Sequence, residues 1–143
     1  MTKNLLLILI ISLLGCSESK DFNKSFSKDE AEKFAKNLEH FKTAKIYSDS
    51  AIIVLNNEPK GYVNAEVGKK HIEFLEKSLA EAKQVDSSLL NKAIKNEGTI
   101  YYEKYIKGIQ FQIEGAKNAD AQKSLKGQQL YGEYAEYMEK NIR

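Results

Sequence analysis

Few side chains in this sequence have the type and spacing that chemistry at a protein site requires. The chain contains two histidines, His40 and His71, and one cysteine, Cys16. On a helix, the residues one turn before and after each histidine are lysine, alanine, valine or leucine, none of which supplies a second metal ligand. We therefore predict no metal site, and we interpret His71 as a histidine at the edge of the core.

Two pairs of glutamates could each share one face of a helix, because their members are three residues apart. The pairs are Glu73 with Glu76 and Glu133 with Glu136. Lysines lie close to the first pair in sequence, so we interpret both pairs as solvated charged faces. The sequence also lacks the nucleophile elbow Gly-x-Ser-x-Gly and the phosphate-binding loop. We predict that the protein is not an enzyme and has no catalytic residue and no cofactor.

The first sixteen residues, MTKNLLLILIISLLGC, combine a basic start with a short apolar run. Lys3 supplies the charge, and the apolar run is shorter than the roughly 20 residues that a membrane-spanning helix needs. A charged start, a short apolar core and a small residue before the cut are typical of a secretory signal peptide. The last four residues, Leu13-Leu14-Gly15-Cys16, resemble the lipobox of bacterial lipoproteins. The resemblance covers this N-terminal segment alone.

The resemblance implies that Cys16 carries a diacylglyceryl thioether, that the chain is cleaved after Gly15, and that the new amino group is acylated. Two or more acyl chains anchor a protein stably, whereas one chain binds only marginally. Cys16 is the only cysteine, so no intrachain disulfide can form, and lipidation gives this thiol a use in an exported protein. We therefore predict a protein of the bacterial cell envelope that is attached to a membrane through its lipid. Ser17 is not the aspartate that retains some lipoproteins in the inner membrane, so the outer membrane is favoured if the cell has one.

The chain divides into a signal peptide, a tether and one domain. Residues 1–15 form the cleaved signal peptide, residues 16–26 the lipidated cysteine and a polar, flexible tether, and residues 27–143 a single helical domain. The net charge of +2 falls to about +1 once Lys3 is removed. Nucleic-acid binding needs a basic face, so we predict no nucleic-acid partner.

Apolar residues recur at intervals of three and four through most of the domain, which is the pattern of amphipathic helices. Ser27 and Glu30 precede the first stripe with the spacing of a capping box. Four stripes are expected to face the core: Phe34, Leu38, Phe41, Ala44, Tyr47, Ala51 and Leu55; Val63, Val67, Ile72, Leu75, Leu79 and Ala82; Tyr102, Ile106, Ile109, Ile113 and Ala116; and Leu130, Tyr131, Tyr134, Met138 and Ile142. We predict an all-α fold, an antiparallel bundle of three or four long helices.

Helix boundaries are less definite beyond the turn at Pro59. The second helix either ends near Asp86, which could cap a new helix, or continues to Asn96. Gly98 is expected to be a left-handed helix stop, with Thr99 capping the next helix. Four glycines interrupt the last two helical stretches, where we expect two backbones to approach closely: Gly108, Gly115, Gly127 and Gly132.

Tyrosines are concentrated towards the C-terminus, where six of the eight lie after residue 100. Tyrosine combines a large apolar ring with a polar tip and is enriched at protein interfaces. One interpretation is a patch for a protein partner, formed by Tyr101, Tyr105, Tyr131, Tyr134 and Tyr137. The other interpretation places these rings at the edge of the core with their hydroxyls outward. The sequence leaves both open.

These features favour a non-enzymatic helical module that binds another protein of the envelope, through a surface or by taking one of its helices into a groove. Secretin pilotins and exclusion or immunity lipoproteins belong to the broad class of small helical lipoproteins that this chain resembles. The alternative is a carrier of a lipid or another hydrophobic ligand. Its cavity would be lined by Tyr102, Ile106, Ile109 and Ile113.

Overall fold

The computed structural model describes residues 26–59 and 64–141, and these residues form helices and turns without a strand. The helices are α1 (Lys28–Asn56), α2 (Ala65–Ala82), α3 (Ser87–Ala93), α4 (Glu97–Ile100), a π-helical segment π1 (Tyr101–Ile106), α5 (Lys107–Lys117) and α6 (Ala121–Asn141). Because α4, π1 and α5 follow one another without a break, they make one long helix. The prediction of an all-α fold is confirmed, with four long helices and one short one in the described part of the chain. The signal peptide, Cys16 and nearly all of the tether lie outside the described residues.

Helix α1 begins at the predicted capping box. The Ser27 amide donates to Glu30 Oε2 at 2.9 Å, and the Glu30 amide donates to Ser27 Oγ at 3.3 Å. Lys92 of α3 reaches the same carboxyl, with Nζ 2.8 Å from Glu30 Oε1, and its hydrogen bond lowers the pKa of Glu30 to about 2. The start of α1 is thereby tied to α3 as well as to its own first turn.

The first two long helices pack side by side along most of their length. The predicted stripe of α1 faces the core, where Phe34, Ala44 and Ala51 are buried. Small polar residues let the backbones approach: the fully buried Ser78 of α2 donates from Oγ to the Ala44 carbonyl at 2.7 Å. This hydrogen bond satisfies a hydroxyl that would otherwise be costly to bury.

The second helix ends before Asp86, which settles the alternative that the sequence left open. The Asp86 carboxylate accepts from the amides of Ser88 and Leu89 and so caps the separate helix α3. Buried Asn37 of α1 holds this loop from the other side. Its amide donates to the Asp86 carbonyl at 2.9 Å, and its Oδ1 accepts from the Asp86 amide at 3.0 Å.

The expected helix stop at Gly98 is wrong. The left-handed residue is Asn96, with φ of 66°, and Gly98 lies within α4. Gly98 is needed for a different reason: a Cβ atom there would lie 2.6 Å from the carbonyl carbon of Ser87. Thr99 does not cap a helix, because the α4 N-terminus is capped by Asn91, whose Oδ1 accepts from the Gly98 amide at 2.9 Å.

The expected close approach of glycine-bearing helices is confirmed between α5 and α6 at three of the four positions. A Cβ atom on Gly127 would lie 2.6 Å from the Gln112 amide nitrogen, and one on Gly108 would lie 3.0 Å from the Gly127 carbonyl oxygen. Gly115 packs in the same way against Ser124. Gly132 has nothing within 4 Å of its Cβ position, so the expectation fails there.

The four long helices enclose one core in which α1 with α2 forms one hairpin, α5 with α6 forms the other, and α2 contacts α5. The core contains fourteen buried residues: Phe34, Ala44, Ala51, Leu75, Ala82, Val85, Leu89, Leu90, Tyr101, Tyr105, Ile106, Ile109, Ile113 and Tyr134. Within residues 26–59 and 64–141, no helix has the length and apolar character that crossing a bilayer requires.

Candidate functional site

The predicted partner-binding tyrosines lie mostly inside the bundle, which corrects the interpretation of all five as a surface patch. Tyr101 is 0% exposed, Tyr105 2% and Tyr134 4%, so none of these three is accessible to a partner in this conformation. Tyr131 and Tyr137 are partly buried at the rim of the same cluster. The interpretation of hydroxyls pointing outward at the core edge also fails for the three buried rings.

The three buried rings pack as one aromatic cluster. Tyr101 and Tyr105 are stacked, with centroids 5.1 Å apart and an interplanar angle of 13°. Tyr134 of α6 meets Tyr105 edge-on at 5.3 Å, and Phe41 of α1 closes the cluster at 6.4 Å from Tyr134. These distances fall in the range in which aromatic pairs attract one another beyond their buried area. The cluster therefore joins three of the long helices.

Hydroxyl partners inside the core explain how tyrosines can be buried there. The Tyr105 hydroxyl lies between Ser48 Oγ at 3.4 Å and Ser78 Oγ at 3.3 Å. Ser48 Oγ also lies 3.0 Å from the Tyr131 hydroxyl, and the Tyr101 hydroxyl donates to a backbone carbonyl of α2 at 3.3 Å. Burial raises the pKa of Tyr105 to about 12, so this hydroxyl stays protonated throughout the physiological range.

The long helix turns Tyr101 inward and Tyr102 outward. Counting back one turn from buried Ile106 gives Tyr102, which the sequence analysis placed in the core. Buried Tyr105 and Ile109 continue the same four-residue interval back to Tyr101 instead, and Tyr102 is 52% exposed. The prediction of Tyr102 as a core residue is therefore wrong, and so is that of Ala116, which lies exposed on α5.

Beside the aromatic cluster lies a buried acid that the sequence analysis missed. Glu97, the first residue of α4, is 3% exposed, and its Oε1 accepts from the Tyr134 hydroxyl at 2.7 Å. Its Oε2 has no hydrogen-bond partner of normal geometry. Burial raises the pKa of the Glu97 carboxyl, and the nearby Tyr134 and Tyr137 hydroxyls oppose this rise only in part. In sequence, Glu97 lies between asparagine and glycine, a context that indicates an exposed turn.

In the described residues, the two histidines lie apart from each other, and only His40 contacts a carboxylate. His71 Nδ1 lies 3.0 Å from the Ala51 carbonyl oxygen, which fits its interpretation as a core-edge histidine. His40 Nδ1 lies 2.7 Å from Glu81 Oε2 and links α1 to α2. Glu76 and Glu133 pair with lysines of other helices. The described residues contain no group of three or more histidine, cysteine, aspartate or glutamate side chains that could hold a metal ion.

The four residues expected to line a ligand cavity do not enclose one. Ile106, Ile109 and Ile113 are 5%, 0% and 7% exposed and pack within the core, whereas Tyr102 lies on the surface. A solvent-open groove of about 560 Å³ lies elsewhere, beside α2, and its floor includes Gly68 and Ile72.

Comparison of the chain with protein-family models, with curated proteins and with solved structures gives no match.

Proposed function

We propose that this protein is a lipid-anchored lipoprotein of the bacterial envelope whose helical domain is a non-enzymatic module for binding another protein. The observation that carries the proposal is the lone cysteine, Cys16, at the end of a short apolar run and within the sequence Leu-Leu-Gly-Cys. The first described helix, α1, then begins at the Ser27 capping box. A lipid anchor next to a compact helical domain supports a function at a membrane surface.

The tether sets how far the domain can lie from the membrane. As a flexible polar tether, the ten residues 17–26 would have an r.m.s. reach of roughly 17 Å and a limit near 35 Å. The segment joins the bundle at the end that holds the start of α1, α3 and the last turns of α6. We propose that this end faces the membrane and that the turn at Pro59 points away from it.

The contact surface that we propose lies on α1, because three of the five large exposed hydrophobic residues are there. Ile46 is 54% exposed and Ile53 56% exposed. They are seven residues apart, so they lie on one face, and each follows a buried alanine, Ala44 or Ala51, by two residues. We define Ile46 and Ile53 as the outer α1 face. A helix of a partner protein with its own apolar stripe is the kind of ligand that such a face accepts.

The anchor is tested by replacing Cys16 with serine. A serine hydroxyl cannot form the thioether, so the variant is expected to remain a full-length precursor and to incorporate no labelled fatty acid. Wild type is expected to be shortened and labelled and to sediment with membranes. Metabolic labelling with fractionation measures all three properties. Mature, soluble protein from the Cys16→Ser variant would contradict the lipoprotein proposal.

The recognition face is tested by a double variant, Ile46→Ser with Ile53→Ser. Apolar anchors at interfaces cost about 2 kcal/mol each when truncated, so capture of envelope partners by the lipidated protein should fall by at least about 30-fold. The matched control replaces Tyr102 and Leu125, which are 52% and 62% exposed on other helices. Both double variants should unfold at nearly the wild-type denaturant concentration. If both double variants lost partner capture equally, or if neither lost it, the proposal that the outer α1 face binds the partner would be contradicted.

A further inference from the structure

Glu97 is held at the point where two parts of the bundle meet. It follows left-handed Asn96 and begins the long helix that continues through π1, and its side chain reaches α6 through Tyr134. A second bond from α3 fixes the same turn, where Asn91 Oδ1 accepts from the Gly98 amide. The carboxyl therefore joins the start of one long helix to the last turns of another.

The groups that surround this carboxyl are hydroxyls and rings. From α6 it is faced by Tyr134 and Tyr137, and from π1 by Tyr101. The charged residue of α3, Lys92, is engaged with Glu30 instead. Within the described part of the chain, no lysine, arginine or histidine nitrogen lies within 4 Å of the Glu97 carboxylate, so none of the described cations compensates its charge.

Ionisation of Glu97 is consequently unfavourable while the bundle is closed. The protonated acid keeps the Tyr134 hydrogen bond on Oε1 and places a neutral hydroxyl instead of a charge at the unpartnered Oε2. The carboxylate carries a buried charge that only hydroxyl dipoles stabilise, and burial of an unpaired charge is costly. In agreement, burial is the largest influence on the pKa of Glu97 and raises it.

We propose that Glu97 is a proton-binding site that latches α6 to the start of the α4–π1–α5 helix: proton uptake closes the latch, and proton loss loosens the last turns of α6. The folded state holds this proton to a higher pH than the unfolded chain does. The stabilisation is therefore complete below the unfolded pKa of about 4.5, and it is lost as pH rises through the raised pKa of the folded state. This inference concerns the domain alone and does not rest on the lipid anchor or the outer α1 face.

The test compares wild type with Glu97→Gln, which keeps an acceptor for Tyr134 and cannot ionise. The free energy of unfolding is measured in denaturant from pH 5 to pH 8, and hydrogen exchange of α6, corrected for the intrinsic rate, is followed over the same interval. Wild-type protection in the last turns of α6 should fall by at least about threefold between pH 5 and pH 8, because the closed bundle holds the Glu97 proton to a higher pH than the opened state does. The logarithm of the protection factor in Glu97→Gln should change by less than about half as much as it does in wild type. Glu136→Gln, at a glutamate of α6 that is 74% exposed, should behave as wild type does.

Carboxylates with lowered pKa values do not disturb this comparison. Hydrogen bonds hold the pKa values of Asp86 and Glu133 below their usual range. The stability that these two carboxylates contribute is therefore lost only as pH falls below the test interval. The histidines are the same in all three proteins, and their contribution cancels in the difference.

Parallel pH profiles for wild type and Glu97→Gln would overturn the proposal. A direct measurement covers the case in which the variant does not fold. The carbon-13 shift of the Glu97 carboxyl in the wild-type domain should titrate well above pH 4.5, and a midpoint at that ordinary value would equally exclude a proton latch.

Discussion

Truncation of Tyr105 to alanine is expected to destabilise the domain by about 3–5 kcal/mol, the cost typical of removing a buried aromatic ring. Tyr105 is 2% exposed, and its ring contacts Tyr101, Tyr134 and Phe41. The variant would also leave Ser78 with one hydrogen-bond partner fewer. Since small domains are stable by about 5–15 kcal/mol, this single change should remove a large fraction of the total. Equilibrium unfolding in urea measures it.

The same turn of helix provides the control for Tyr105. Tyr102 also belongs to π1 but is 52% exposed, so Tyr102→Ala should change stability by less than about 1 kcal/mol. Tyr105→Phe separates the ring from its hydroxyl and should cost about 1 kcal/mol, because only the hydrogen bonds to the two serines are lost. Similar losses in Tyr102→Ala and Tyr105→Ala would contradict the inward orientation of Tyr105 and the outward orientation of Tyr102.

Replacement of Gly127 by alanine is expected to destabilise the domain by about 2 kcal/mol. The added methyl group would lie 2.6 Å from the Gln112 amide nitrogen and from the Gly108 carbonyl oxygen. Both are backbone atoms, so α5 and α6 would have to move apart. Overpacking of this kind lowers the free energy of unfolding by about 3 kcal/mol at the upper end of its usual range. The better helix propensity of alanine offsets about 1 kcal/mol of that loss.

Gly132→Ala on the same helix is the matched control and should have the opposite sign. Its Cβ position has nothing within 4 Å, so only the helix propensity changes, and stability should rise by about 0.5–1 kcal/mol. Both variants are compared in urea at one pH. A stabilising effect at both positions would mean that α5 and α6 are not in close backbone contact.

Local patterns alone were sufficient to predict the helical architecture. The Ser27 capping box acts within four residues, and the stripes of α1 and α2 depend only on the period of the helix. The glycine prediction held at Gly108, Gly115 and Gly127 for a related reason, since their spacing places them on one side of each helix. Such features need no knowledge of what the other helices present.

Features that depend on distant contacts were decided by the tertiary structure. The sequence leaves Gly98 and Asn96 both able to adopt a left-handed conformation. In the structure Asn96 adopts it, whereas Gly98 lies within α4 and leaves room for the Ser87 backbone beside it. The buried tyrosines depend likewise on Ser48 and Ser78, because these serines supply hydrogen-bond partners from other helices for a polar tip that would otherwise favour the surface.

The contrast between Tyr101 and Tyr102 shows where sequence-based prediction ended. Helix periodicity left both open, because Tyr102 lies four residues before Ile106 and Tyr101 lies four residues before Tyr105. In the structure Tyr101 packs against Phe41 of α1 and Tyr134 of α6, and no local pattern indicates these contacts. For the same reason Glu97 could not be identified as buried: its position depends on Tyr134, which is 37 residues away along the chain.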